Sequence, residues 1–545
     1  MNQQYMARGY PPGPTRSVAK SLALRDMDTY VRLHKEYGDI FMLPLGQVPL
    51  VVTRSPEHIK SILGGEAMKL FPRPKHALES IRLLFGRAQI ALDGHEHSAN
   101  KRMLSRWLFS EEKNAEMSTH LSEVCQELVE KISEQANPDV EVFRLAELAS
   151  VDLNGVISLG KSYGALTRGR SPELEALKRA DEIFLSRAMN KKWRDTETKE
   201  TASTFEDAKQ LLLKTFGDAE QAVRGVLEVR DFIRKTLEYE QVRNGSRDTP
   251  SALRHMIEEN ASTRDSTCPM GRNPTPLELK SNLVGFLAGV GNSARLVAVV
   301  IEMFSRQQEM QTRFLVELHQ VFGDVSLKEA QERARRGEGV QIDRFDYDRL
   351  MRLEYLKCFI HECLRMYPPS VSVAPRSCSS DNPLGEYTIP SGTWCSSVVF
   401  ENLNDPRYHS LNLSKSNHSN AHSNITKTRK LTGTTVMCNI YGSHHHPNYW
   451  TRPDRFDPMR FSVTKDRAQH RPATPAFFPF GYGGHSCIGK NLAQIATMTI
   501  AAKLVASFQL LPKPGTRSPK FNTTNSTWCS SAKRENFNRV THFVE

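Results

Sequence analysis

The chain has 545 residues, 39% hydrophobic and 25% charged, with a formal net charge of +12. That is globular composition, long enough for one large domain or two to three ordinary ones. The basic excess comes without a run of five or more Lys/Arg and without basic stretches interleaved with aromatics. This argues against a nucleic-acid partner and leaves solubility or an acidic protein partner.

Nine cysteines occur without a C-x-x-C pair, which counts against a zinc knuckle. The odd number, beside an N-terminus (MNQQYMARGYPPGPTRS) with no apolar core, reads as free thiols in a reducing compartment. No secretory signal or membrane anchor is expected. Residues 38–63 read as two short strands around a turn, then a helix with Ser55 as N-cap and Pro56 first. Helical patterns dominate from about 110 to 260. The apolar stretch 278–304 predicts one long helix of roughly 40 Å. Its Asn292, Ser293, Arg295 and Glu302 argue for burial in protein rather than lipid. A further helix is expected over 347–366, stopped by Pro368 and Pro369. GEYTIPSGTW (385–394) reads as strand and turn, and a last long helix runs from near Ile488 to about Phe508.

Residues 401–430 break the pattern. Asn and Ser dominate, periodicity is absent, and too little apolar surface is available to offset ordering entropy. The tract reads as a disordered insertion. Its Asn-x-Ser/Thr triplets at Asn412, Asn417 and Asn424 are products of composition.

FPFGYGGHSCIGKN (478–491) sets Cys487 among four glycines directly before a helical pattern. Redox shuttling usually needs a second nearby Cys, and none is present. A nucleophilic Cys needs a base, and His485 is too close in sequence to reach it easily. GHSCI (484–488) nearly matches the nucleophile elbow G-x-S-x-G, but Ile488 stands at its fifth position. Metal ligation fits better. Gly481, Gly483, Gly484 and Gly489 let backbone and a wide flat body approach the sulfur, and the following helix aims its positive end at it. A lone thiolate on a metal with an open opposite face is how haem is held for O–O cleavage.

The loop resembles the haem-binding loop of the cytochrome P-450 family, with Phe480, Gly483, Cys487 and Gly489 at its four fixed positions. His485 stands where the family usually has an Arg that pairs with a haem propionate. HECLRMYPP (361–369) resembles the family's E-x-x-R motif. With FDPMRF (456–461) it implies a structural, non-catalytic triad of Glu362, Arg365 and Arg460 behind the haem. In GHEHSANKR (94–102), His97 matches a propionate-contacting position, Lys101 stands where Arg is usual, and Arg102 follows. Arg376 in APRS is at another propionate position. HHHPNYW (444–450) resembles a structural loop of the family rather than a metal site.

FLAGVGNSA (286–294) is similar to the oxygen-activation stretch. Ala288 and Gly289 match, Gly291 replaces the acid, Asn292 replaces the threonine, and Ser293 follows. Gly291 cannot relay a proton and Asn292 is not a general acid near neutral pH.

The resemblance implies a mainly α (α+β) P-450 fold over 1–545, with a large helical part and a smaller β-rich part. Haem b would lie between the long central helix and the Cys487 loop, its iron ligated by Cys487. The implied activity is monooxygenation of a small apolar molecule with O2 and electrons from an NADPH-dependent cytochrome P-450 reductase, in specialised metabolism. The reductase would dock near Lys490. The implied location is cytoplasmic, at the endoplasmic reticulum surface, with membrane association left open and no anchor in the chain. Alternatives are a haem-thiolate isomerase, dehydratase or peroxide-using enzyme, or an inactive product disrupted by the insertion. The insertion, 395–433, interrupts one continuous family segment and reads as a translated intron or mis-joined gene. Residues 512–545 form an atypical tail.

Overall fold

The computed structural model describes residues 9–175, 231, 251–256, 275–391, 434–462, 476–513 and 537–542, apart from 22–26, 45–48, 75–77, 79–80, 83–84, 136–138 and 173. The expected insertion at 395–433 lies outside the described residues, as does most of the helical region expected between 176 and 260.

Helix α1 (Met27–Tyr37) leads into strands β1 (Ile40–Leu43) and β2 (Leu50–Thr53), which pair antiparallel. Helix α2 (Pro56–Leu63) follows as expected, with Ser55 Oγ accepting from His58 N at 3.3 Å. Helices α3 (Gly94–Leu108) and α4 (Glu111–Ser133) are capped by Asp93 and Ser110. A short strand β3 (Asp139–Glu141) precedes α5 (Val142–Leu159).

The long apolar stretch is two helices, α6 (Pro276–Leu287) and α7 (Val290–Arg306), where one was expected. Thr275 and Glu278 form a reciprocal capping box at its start. The ladder breaks at Ala288 and Gly289. Their N–H groups donate three residues back, to Gly285 O at 3.2 Å and Phe286 O at 3.1 Å. This local tightening is cheap where glycines already weaken the helix. By length and composition the stretch could cross a membrane. In the fold, α7 packs against α5 and four later elements.

Helix α8 (Gln308–Phe322) is followed by a helix at Leu327–Arg336, a short helix at Tyr347–Met351 and α9 (Glu354–Met366). One helix was expected there. It stops at Arg352 and restarts because the Glu317 carboxylate accepts from Tyr355 N at 2.7 Å and Leu356 N at 3.1 Å. An acid on α8 thus caps the N-terminus of α9. Strands β4 (Arg376–Ser377), β5 (Asn382–Leu384), β6 (Tyr387–Ile389) and β7 (Thr435–Cys438) come next. Helix α10 (Lys490–Ser507) runs directly into β8 (Phe508–Pro512). Strand β9 (Phe537–His542), in the tail, pairs with β8 and β3.

Helices α4, α5, α7, α8, α9 and α10 share one large apolar core. The four-stranded sheet, in order β1-β2-β7-β4, carries two smaller apolar clusters. This is the expected large helical part and smaller β-rich part. Within it, Arg365 donates to both Glu362 oxygens at 2.8 Å, and Arg460 Nε reaches Glu362 Oε1 at 3.1 Å. All three side chains are buried. Such an ion cluster holds only because further partners share the charge. Here Arg365 also donates to His444 O at 2.9 Å, and Asp457 N donates to Glu362 at 2.9 Å.

Candidate functional site

The glycines predicted to open space around Cys487 do so unequally. At Gly483 the backbone has φ +66°, and a Cβ would lie 1.9 Å from Leu63 O, so only glycine fits. Cys487 N donates to Phe480 O at 2.7 Å, which closes the loop on itself. Phe480 packs against the large core. Residue Cys487 is exposed, yet surrounding protein desolvates its thiol and pushes the pKa up. The Gly489 amide, Lys101 and Lys490 pull the pKa the other way without overcoming burial. A bound metal cation reverses that balance outright.

Lys101 Nζ donates to Gly484 O at 2.9 Å, Ser486 O at 2.7 Å and Ser486 Oγ at 3.1 Å. An ammonium has three donors, so the loop uses all of them. The structure therefore places Lys101 as a clamp on the Cys487 loop, where the sequence suggested a carboxylate contact. Arg102 is exposed.

His97, Arg376 and His485 come together with Arg73 and Asp93, two residues the sequence reading missed. His485 Nδ1 lies 3.2 Å from Arg376 Nη1, and the His97 and His485 ring centroids are 4.1 Å apart. Asp93 Oδ2 accepts from Arg73 N at 2.8 Å, and Asp93 Oδ1 lies 3.0 Å from His485 Nε2 without hydrogen-bond alignment. A guanidinium can only donate, so His485 Nδ1 accepts and its proton sits on Nε2. Burial lowers the His97 pKa to about 2 and the His485 pKa to about 4, so both rings are neutral. Burial also pulls Arg73 down to about 9. The only signals for Arg73 and Asp93 were FPRP (71–74) and an N-cap residue before Gly94.

Three buried polar atoms in this cluster have no protein partner among the described residues: Arg73 Nε, His97 Nδ1 and Arg376 Nε. Buried donors are almost always satisfied. Three together, in the cluster that meets the Cys487 loop at His485, fit a buried anionic ligand that also carries a soft metal. Haem, with two carboxylates at one edge and iron at its centre, has that chemistry.

The proposed oxygen-side residues surround the helix break. Ala288 is buried, Gly289 is exposed, and Gly291, Asn292 and Ser293 are partly exposed. Asn154 of α5 pins the break by donating to Phe286 O at 2.7 Å.

The cytochrome P450 family model matches residues 11–410 and 431–536. Among curated relatives, rat cytochrome P450 4A10 is 22% identical over 85% of this chain and 76% of its own length. Rat cytochrome P450 4A14 is 32% identical over 35% of this chain and 29% of its own length. The cyclooctat-9-en-7-ol 5-monooxygenase of Streptomyces melanosporofaciens is 26% identical over 44% of this chain and 39% of its own length. The crystal structure of the cytochrome P450DA heme domain superposes with a TM-score of 0.71 at 17% identity, covering 98% of this chain and 97% of that one.

Proposed function

The chain belongs to the cytochrome P450 family, and from that premise we propose that it is a monooxygenase that inserts oxygen into a small apolar molecule, with Cys487 as the axial ligand of its haem. Haem held through a cysteine thiolate is the cofactor of the family and fold. The observation that supports the assignment is the pairing of the Cys487 loop with three buried polar atoms that have no partner among the described residues, Arg73 Nε, His97 Nδ1 and Arg376 Nε.

Arg73, Arg376, His97 and His485 would hold the two carboxylates, and Phe480 would pack beside the ring. When bound, the iron supplies O–O cleavage, favoured by electron density from the thiolate. The protein's own task is to orient substrate, exclude water and deliver protons. Gly289 leaves the helix surface open at the break, and Asn292 and Ser293 offer hydrogen bonds there. Exposed Arg102 and Lys490 put positive charge beside the Cys487 loop. That supports docking of an acidic, NADPH-dependent reductase. The Streptomyces relative is named for monooxygenation of a specific organic alcohol, which supports a specialised-metabolite substrate here.

A second reading rests on Gly291 and Asn292. With neither an acid nor a hydroxyl at those two positions, the enzyme would use a peroxide or rearrange a hydroperoxide. The test is the carbon monoxide difference spectrum of the reduced protein and its C487A variant, followed by turnover assays. A thiolate-type band that vanishes in C487A is expected. No haem uptake by the unaltered chain sinks the proposal. Turnover with peroxide, and none with NADPH plus reductase, selects the second reading.

A further inference from the structure

The His97 ring is fully buried, and one of its nitrogens already has a protein partner: Gln89 Nε2 lies 2.7 Å from His97 Nε2. Gln89 is itself anchored, because its backbone N–H donates to Asn282 Oδ1 of α6 at 2.9 Å. A continuous polar path thus runs from the long helix through Gln89 to the imidazole. The other ring nitrogen, Nδ1, has no partner among the described residues.

A neutral imidazole has one donor and one acceptor, and the hydrogen bond at one nitrogen decides the role of the other. The Gln89 amide could play either part. If its oxygen faced the ring, Nε2 would carry the proton and Nδ1 would offer a bare lone pair. A lone pair cannot bind a carboxylate. With the amide nitrogen donating to Nε2, the proton sits on Nδ1, where the cluster lacks an acceptor.

We propose that Gln89 is a positioning residue that holds His97 in the Nδ1–H tautomer, so that this nitrogen donates to a haem carboxylate. The proposal rests on the haem reading of the site given above. Gln89 needs no contact with haem. It acts through His97, as outer partners act on metal-ligating imidazoles. It also joins the haem edge to α6 through Asn282. An ionised glutamate at position 89 can only accept, and so requires a proton on His97 Nε2 without changing the shape of the side chain.

The test uses holoenzyme labelled with nitrogen-15 histidine, reduced under carbon monoxide so that the iron is diamagnetic. The His97 signals are identified by their loss in H97N. The wild type is expected to show a protonated Nδ1 and a bare Nε2, and Q89E the reverse. Haem transfer to excess apomyoglobin is expected to be about tenfold faster in Q89E, from the loss of one charge-assisted hydrogen bond. Q89M removes the partner without adding charge, and is expected to show both tautomers and an intermediate rate. All three should keep the same carbon monoxide band, because the Cys487 loop is untouched. A wild-type protein that holds haem with His97 protonated on Nε2 overturns this proposal alone. So do unchanged nitrogen shifts and an unchanged rate in Q89E and Q89M. A wild-type chain that takes up no haem overturns the haem reading and this proposal with it.

Discussion

Thr434 Oγ1 donates to Pro390 O at 2.6 Å, although the two residues are 44 positions apart. Thr434 is held from two further sides: Cys378 N donates to its carbonyl at 2.8 Å, and Tyr10 Oη lies 2.8 Å from its hydroxyl. The chain therefore leaves the sheet at Pro390 and returns beside the point of departure. Joining Gly392 to Thr434 would make a four-residue turn, Pro-Ser-Gly-Thr, with glycine at the third position, where positive φ is needed in a type II turn. A variant lacking 393–433 is expected to fold, bind haem as the full chain does, and gain roughly 2 kcal/mol from lower loop-closure entropy. Urea unfolding of the two haem-loaded proteins checks this. An insoluble or haem-free deletion variant would show that the segment is part of the fold.

The Glu362 carboxylate balances two buried guanidiniums, those of Arg365 and Arg460. Removing that charge leaves both cations in a low-dielectric core. E362Q is expected to cost about 3–5 kcal/mol, the scale of breaking a buried ion pair. The readout is the urea midpoint, together with the yield of soluble haem-loaded protein. A midpoint within error of the wild type would mean that the two arginines are satisfied by the carbonyls they also reach.

What the sequence made legible follows how local each signal is. Ser55 and Pro56 announce α2 because a cap and a first-turn proline act within one turn. Glu362 and Arg365 lie three apart on one helix, so their pairing is readable without the rest of the fold. The Cys487 loop is readable because Gly483 meets a backbone carbonyl that tolerates no side chain. The break at Ala288 and Gly289 was not legible, since it depends on Asn154, more than a hundred positions away. Arg73, Gln89 and Asp93 were missed for the same reason. Each is ordinary in its own segment and gains meaning only beside His97 and His485.

Acid should destabilise the fold well before the carboxylates titrate. Burial lowers the pKa of His34 to about 3 and of His445 to about 4, and holds His444 well below its usual value. In the unfolded chain these rings titrate near 6.5. Below that pH the unfolded state binds protons that the folded state refuses, so stability falls as pH falls. Glu317 opposes this. Burial raises it to about 7, so its contribution is lost as pH rises from its unfolded value through 7. His97 and His485 are depressed in the same way, so the histidines outweigh Glu317 and stability falls as pH falls from about 6.5 towards 4.5. Urea midpoints at about pH 7, 6 and 5 should fall in that order, and H34Q should flatten the slope by about one proton. A midpoint that holds constant over this range is incompatible with neutral buried rings.

Lys101 separates two accounts of the same residue. As a carboxylate contact it would matter only to haem-loaded protein. As a clamp it should matter with or without haem, because its three donors bind Gly484 and Ser486 in the polypeptide itself. K101M keeps the aliphatic stem and deletes the charge, leaving two carbonyls and a hydroxyl short of a donor. The clamp predicts a loss of about 1.5–3 kcal/mol in the haem-free and haem-loaded chains alike, the scale of hydrogen bonds to a charged group. It also predicts faster haem loss, since the loop that carries Cys487 is no longer fastened to α3. The checks are urea unfolding of both forms and haem transfer to apomyoglobin. A K101M protein destabilised only when loaded would return the ammonium to the haem edge, and with it the donor that the loop now holds.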